Sequence, residues 1–287
     1  MVLCVGTLGG CSVRVEGRAE QEATGLCERA YYAAEDASSY TQSNNPSLVR
    51  YIEARQSQHA WLDVAIQCPD RFGEGTMRSA QAQFMAHSLA DRLSLAYQPL
   101  TVQSLEAVHS DALNIIPSSL AQMALAEDRA GFAAQVLAGR WAANVPQSLN
   151  MYGRELAADN AAVLLNWSDD HKETASQLMY FAGTGTQDLR QKVYATQDLT
   201  QHDATIVDPA TGIESNTLSV VEMNAARAEL EAMNSNTYPT AAHADSTQVQ
   251  TNLVQISMLI ATHMYRAFEL GYPNVDGLLY APETRRS

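Results

Sequence analysis

The feature that most constrains this chain is the return of small and aliphatic residues at three- and four-residue steps over most of its length. From Pro117 a single stripe reads Leu120, Ala124, Glu127, Gly131, Ala134, Ala138 and Trp141. That period places one apolar face along a helix, and a helix buries such a face only against other helices or a sheet. Alanine, the strongest helix former, occurs 44 times in 287 residues, while aromatics make up 7%. A β-sandwich or barrel needs runs of Val, Ile, Thr and aromatic residues that this sequence lacks. The expected fold class is all-α: an antiparallel helix bundle with extra helices and one short β-prone insertion.

Helical patterns are expected over 16–40, from Pro46 to about Cys68, over 76–97, over 102–113 and from Pro117 to Trp141. Gly73 and Gly75 are read as separating the second and third of these, and Pro46 as the first helical position of the second. Pro146 starts another helix that reaches Trp167, and the acidic Ser168-Asp169-Asp170 is read as a fresh helix start running to Ala182. Composition then shifts: 183–216 is rich in Thr, Gln and Asp, and Asp208-Pro209-Ala210-Thr211-Gly212 is turn chemistry between short β-prone pieces, as in a small hairpin. Two more helices, 217–233 and 247–270, follow, with 271–287 as a surface tail. The expected organisation is a signal remnant and tether over 1–15, a bundle over 16–182, the polar insertion, two helices packed on the bundle and the tail.

Eighteen Lys and Arg against 32 Asp and Glu leave a net charge of −14. A nucleic-acid footprint needs clustered cations, so nucleic acid is excluded as a partner, and so is electrostatic docking on an anionic membrane. No run of 18 apolar residues is present to span a bilayer. The opening, however, ends an apolar stretch with Leu8-Gly9-Gly10-Cys11, which is similar to a bacterial lipobox, whose cysteine is acylated. No Lys or Arg precedes Arg14, so the basic start of a signal peptide is missing. Cys11 is the expected lipidation site, and the lipid the only membrane contact.

With Cys4 lost in such a signal, Cys27 and Cys68 remain, and two cysteines in an exported chain pair as one disulfide or stay as buried thiols. An antiparallel hairpin returns Cys68 toward the start of the first helix. The two arms differ in length by several residues, an offset of about 10 Å that a bridge tolerates only if the second helix frays or bends.

The segment Met123–Arg140, together with the lipobox, resembles uncharacterised actinobacterial lipoproteins that carry a ferritin-like helical domain. Asp128 stands where that family usually has His. The resemblance implies a fold and an envelope location, not an activity. A weak internal repeat agrees with a ferritin-like core: Ala34-Glu35-Asp36 recurs as Ala126-Glu127-Asp128.

No catalytic constellation is legible: there is no Gly-x-Ser-x-Gly elbow, no His-Glu-x-x-His, no P-loop and no dinucleotide fingerprint. Carboxylate-bridged metal sites in bundles use paired Glu-x-x-His motifs, and Glu106-Ala107-Val108-His109 is the lone match, so no metal ligands and no cofactor are assigned. His263 shares a stripe with Leu253, Ile256 and Ile260 and reads as a core histidine. Arg55, His59 and Glu127 interrupt apolar stripes, and buried charges need partners. They are expected to form one polar cluster, either a register-fixing core or a ligand pocket. The function expected on these grounds is non-catalytic binding or interaction with an envelope ligand or protein; the alternative is a ferritin-like metal-dependent oxidoreductase or metal-binding protein.

Overall fold

The computed structural model describes residues 25–41, 44–100, 105, 115–141, 161–234 and 247–275. The expected all-α class holds: eight α-helices and one two-stranded sheet are found among these residues. The helices are α1 (Leu26–Thr41), α2 (Ser47–Gln67), α3 (Phe72–Leu93), α4 (Pro117–Trp141), α5 (Ala161–Ala182), the short α6 (Gln197–Gln201), α7 (Thr217–Asn234) and α8 (Thr247–Glu269). No described helix is long and apolar enough to cross a membrane. The expected helices over 102–113 and from Pro146 to 160, the Glu106/His109 pair, Cys11 and the tail beyond 275 lie outside the described residues.

The helices α1, α2 and α3 form successive antiparallel neighbours, and α4 packs on α5 and α7. α8 joins the two groups, lying against α7 on one side and α3 and α2 on the other. Leu253, Ile256, Leu259, Ile260, Met264 and Phe268 therefore sit in the main hydrophobic core with residues from α2, α3, α4, α5 and α7. Each fully buried aliphatic or aromatic side chain contributes about 1.5–3 kcal/mol, so α8 is an organising core element rather than an accessory to the bundle.

Two helix boundaries differ from the sequence reading. Gly73 and Gly75 fall inside α3 instead of separating it from α2. A Cβ at Gly75 would meet Ala65 N at 2.5 Å and Trp61 O at 2.6 Å, so its absence lets α3 approach the α2 backbone. α5 continues without a break through Ser168-Asp169-Asp170, because Leu164, Ser168, His171, Ala175 and Leu178 form one buried stripe.

Cys27 and Cys68 are bridged, with Cα atoms 4.8 Å apart. The arm-length mismatch is absorbed without fraying. Ser38 Oγ lies 2.9 Å from Ser57 Oγ, and Trp61 Nε1 donates to Ser38 Oγ at 2.7 Å. The hairpin is thus in register at Ser38 and Ser57, and each cysteine lies eleven residues from its anchor. The first turns of α2 simply overhang the end of α1.

The polar insertion contains the expected hairpin: β1 (Thr205–Val207) pairs antiparallel with β2 (Glu214–Asn216). Its turn residue Asp208 is buried, accepts from Arg227 Nη1 at 2.7 Å and is hydrogen-bonded by the Tyr272 hydroxyl. Tyr272 is itself fully buried, which corrects the reading of everything beyond Gly271 as surface tail. These bonds tie the insertion and the end of α8 to α7.

Candidate metal centre

Four helices, α4, α5, α7 and α8, each turn an ionisable side chain into the same sealed volume. Glu127 comes from α4, His171 from α5, Glu222 and Glu229 from α7, and His263 from α8. The three glutamates are 0% exposed, and the histidines 1% and 2%. A glycine makes the geometry feasible. Gly131, one turn beyond Glu127, faces α5, and a Cβ there would meet Ser168 O at 2.9 Å and His171 Cβ at 3.0 Å. Bare backbone at this position lets His171 come against Glu127.

The four groups close a ring of hydrogen bonds. His171 Nδ1 donates to Glu127 Oε2 at 2.5 Å and His171 Nε2 to Glu222 Oε1 at 3.1 Å. His263 Nδ1 donates to Glu222 Oε2 at 3.0 Å and His263 Nε2 to Glu127 Oε1 at 3.2 Å. Each carboxylate thus spans both imidazoles, which lie stacked with centroids 5.0 Å apart and planes 12° from parallel. Glu229 Oε2 lies 3.7 Å from His263 Nε2, and neither oxygen of Glu229 has a hydrogen-bond partner.

Burial and charge oppose one another here. Burial alone would raise the Glu127 carboxyl, but His263 and His171 overcome it and hold the group down at about 2. Glu222 is likewise pulled below the usual carboxylate range against its burial, chiefly by His171. Burial pushes both histidines down, yet Glu222 and Glu127 raise His171, and Glu127 and Glu229 raise His263 well above the ordinary imidazole value. Glu229 goes the other way: burial and then the charge of Glu127 push it well above the normal range. Without a metal the ring thus favours the charged forms of both imidazoles and of Glu127 and Glu222, while the Glu229 carboxyl is pushed toward its neutral form.

Glu127, His171 and His263 each offer a ligand atom within 4.8 Å of the others, the spacing of one metal ion. The side of the imidazoles facing Glu127 presents His171 Nδ1 and His263 Nε2. The opposite nitrogens both point to Glu222. That division matches a metal site in which the ligating histidine donates its other N–H to an outer carboxylate that fixes tautomer and ring orientation.

The cluster expected from the sequence is not formed as such. Glu127 is buried in the ring just described, but Arg55 and His59 sit on the open face of α2, beside Tyr51, Ile52, Gln56 and Asp63. Arg55 stands 5.6 Å over the Tyr97 ring, and burial with the nearby Arg55 charge lowers the His59 pKa. The reason is helix phase. The buried stripe of α2 runs through Ala54, Ser57, Gln58, Trp61, Leu62 and Ala65, leaving Leu48 and Ile52 about half exposed and Arg55 and His59 on their face.

His171, Glu222 and Glu229 were missed. Glu222 and Glu229 are seven residues apart on the stripe of Leu218, Met223, Ala226 and Met233, an i, i+7 pair of carboxylates on an apolar face. That spacing was the available signal. His171 was hidden by the false helix start at Ser168. Compared with protein-family models, with curated proteins and with solved structures, this chain matches none.

Proposed function

We propose that this is a metal-binding helical-bundle protein of the bacterial envelope, with one ion held by Glu127, His171 and His263 and with Glu222 as the outer carboxylate. The carrying observation is the division of the imidazole nitrogens, two toward Glu127 and two toward Glu222. A purely structural ion ring would not need Glu229 as well, a fifth ionisable group sealed beside it without a hydrogen bond. Imidazole and carboxylate ligands without thiolate suit manganese, iron or zinc. The envelope location is supported by the Leu8–Cys11 lipobox and by the Cys27–Cys68 bridge, since disulfides persist in oxidising compartments. The lipid on Cys11 would be the membrane tether.

Elemental analysis of the protein purified after expression with manganese, iron or zinc tests the centre. One ion per chain is expected, lost in His171→Ala and in His263→Ala. Protein carrying none in all three media, or two ions per chain, overturns the single-ion reading. For the location, a precursor with its own signal should partition into detergent and be released by Cys11→Ala.

A further inference from the structure

A cleft of about 440 Å³ opens between α4, α7 and the polar insertion, inside the roughly 300–1,000 Å³ typical of small-molecule sites. Its floor is made of alanines: Ala126, Ala130 and Ala133 of α4 and Ala225 of α7, all buried. Methyl groups at these positions leave a smooth apolar surface where longer side chains would fill the groove between the two helices. None of the metal-ring residues lines this space.

The wall of the cleft is aromatic and held in place. Phe132 and Tyr194 meet edge to face with centroids 5.4 Å apart. The Tyr194 hydroxyl donates to Asp128 Oδ2 at 2.5 Å and accepts from Gln191 N at 2.9 Å. Leu199 of α6 completes the wall, and Arg140 ties α6 to α4: its Nη2 donates to Thr200 O at 2.6 Å, and its Nε lies 3.3 Å from Asp203 Oδ2. A wall fixed before binding leaves little ordering to be done by the ligand.

The polar groups decide the charge of the occupant. The Arg129 guanidinium carbon stands 5.8 Å from the centre of the Tyr194 ring, and no carboxylate of the described residues pairs with Arg129. Asn224 spends its side-chain oxygen on Arg227 Nη1 at 3.0 Å, which leaves its N–H donors to the cleft. The Tyr194 oxygen is already engaged by Asp128 and Gln191. Among the described residues, the lining side chains thus offer donors and no free acceptor, above an apolar floor. A planar guanidinium beside an amide matches a carboxylate. We infer that the α4–α7 cleft binds a small aromatic carboxylate. Its ring lies on the alanines against Phe132 and Tyr194, and its carboxylate accepts from Arg129 and Asn224.

Calorimetric titration of the full chain with naphthoate tests this, with the neutral naphthylmethanol as the comparison. Naphthoate should bind at one site per chain and more tightly than the alcohol. Arg129→Gln should weaken naphthoate at least about tenfold, the worth of a hydrogen bond to a charged group, and leave the alcohol unchanged. Ala228→Phe, at an exposed position on the rim, should fill the cleft and abolish binding of both. Three results each overturn the inference: no saturable naphthoate binding by the parent chain, equal naphthoate affinity in the parent and Arg129→Gln, or naphthoate binding retained in Ala228→Phe. Both substituted side chains lie outside the metal ring, so these titrations read the cleft alone.

Discussion

His171 and His263 stack with ring centroids 5.0 Å apart, although they come from helices 92 positions apart in the chain, and both edges of the stack are covered by carboxylates. Two imidazoles held parallel in a sealed interior direct four nitrogens along two edges. One edge meets Glu127 and Glu229, the other Glu222 alone. The candidate centre follows from that pairing, and so do the first two predictions.

Removing one member of a buried ion ring strands the others. His263→Ala should destabilise the metal-free protein by about 3–5 kcal/mol, measured by urea unfolding. Arg55→Ala, on the open face of α2, should stay within about 0.5 kcal/mol. Comparable losses in the two variants would contradict the placement of Arg55 outside the ring.

Metal and protons compete for the same nitrogens. His171 and His263 have raised values, so the stability they add to the metal-free protein is complete below about 6.5 and is lost as pH rises through their folded values. Glu127, held at about 2, adds stability present above its unfolded value near 4.5 and lost as pH falls toward 2. A bound ion displaces the inner imidazole protons, so its affinity should rise with pH. Melting temperatures of metal-free and loaded protein between pH 5 and 8 should diverge as pH increases; a constant gap would count against imidazole ligation.

Two glycines of α4 should respond in opposite directions to alanine. Gly131→Ala places a Cβ 2.9 Å from Ser168 O, a backbone atom that cannot swing aside, and should cost about 1–3 kcal/mol while lowering metal retention. Gly139→Ala meets nothing within 4 Å and should stabilise the helix by up to about 1 kcal/mol. Thermal melts of the two variants, with metal content, check both signs.

The Cys27–Cys68 bridge closes a loop over a sequence separation of 41. Chain-entropy arithmetic for that length gives about 4 kcal/mol, which Cys27→Ser with Cys68→Ser should remove. The bridge pins α1 to α2, outside the four helices of the centre, so metal content should not change. Two titratable thiols in the unfolded, unreduced protein would show that the bridge does not form.

The sequence by itself determined the helices, because each helix is a local object: its hydrogen bonds close within four residues, and its apolar face recurs along the chain where it can be counted. Pro117 at the start of α4, the stripe through Leu253, Ile256 and Ile260, and the Asp208–Gly212 turn were all legible in that way. The centre was not. Glu127 is recognisable as a charge on an apolar stripe, but its partners are not, because a helical stripe reads differently when shifted by one residue: the buried face of α2 runs through Ser57, Gln58 and Trp61, not through Arg55 and His59. His263 looked like any core histidine until α4, α5 and α7 surrounded it. Which faces meet is decided by packing across hundreds of residues: by the bare backbone of Gly131 against Ser168 and His171, and by α8 threading between the two helix groups. Only the tertiary structure could decide that Glu127, His171, Glu222, Glu229 and His263 share one volume, since no local period relates residues brought together from four helices.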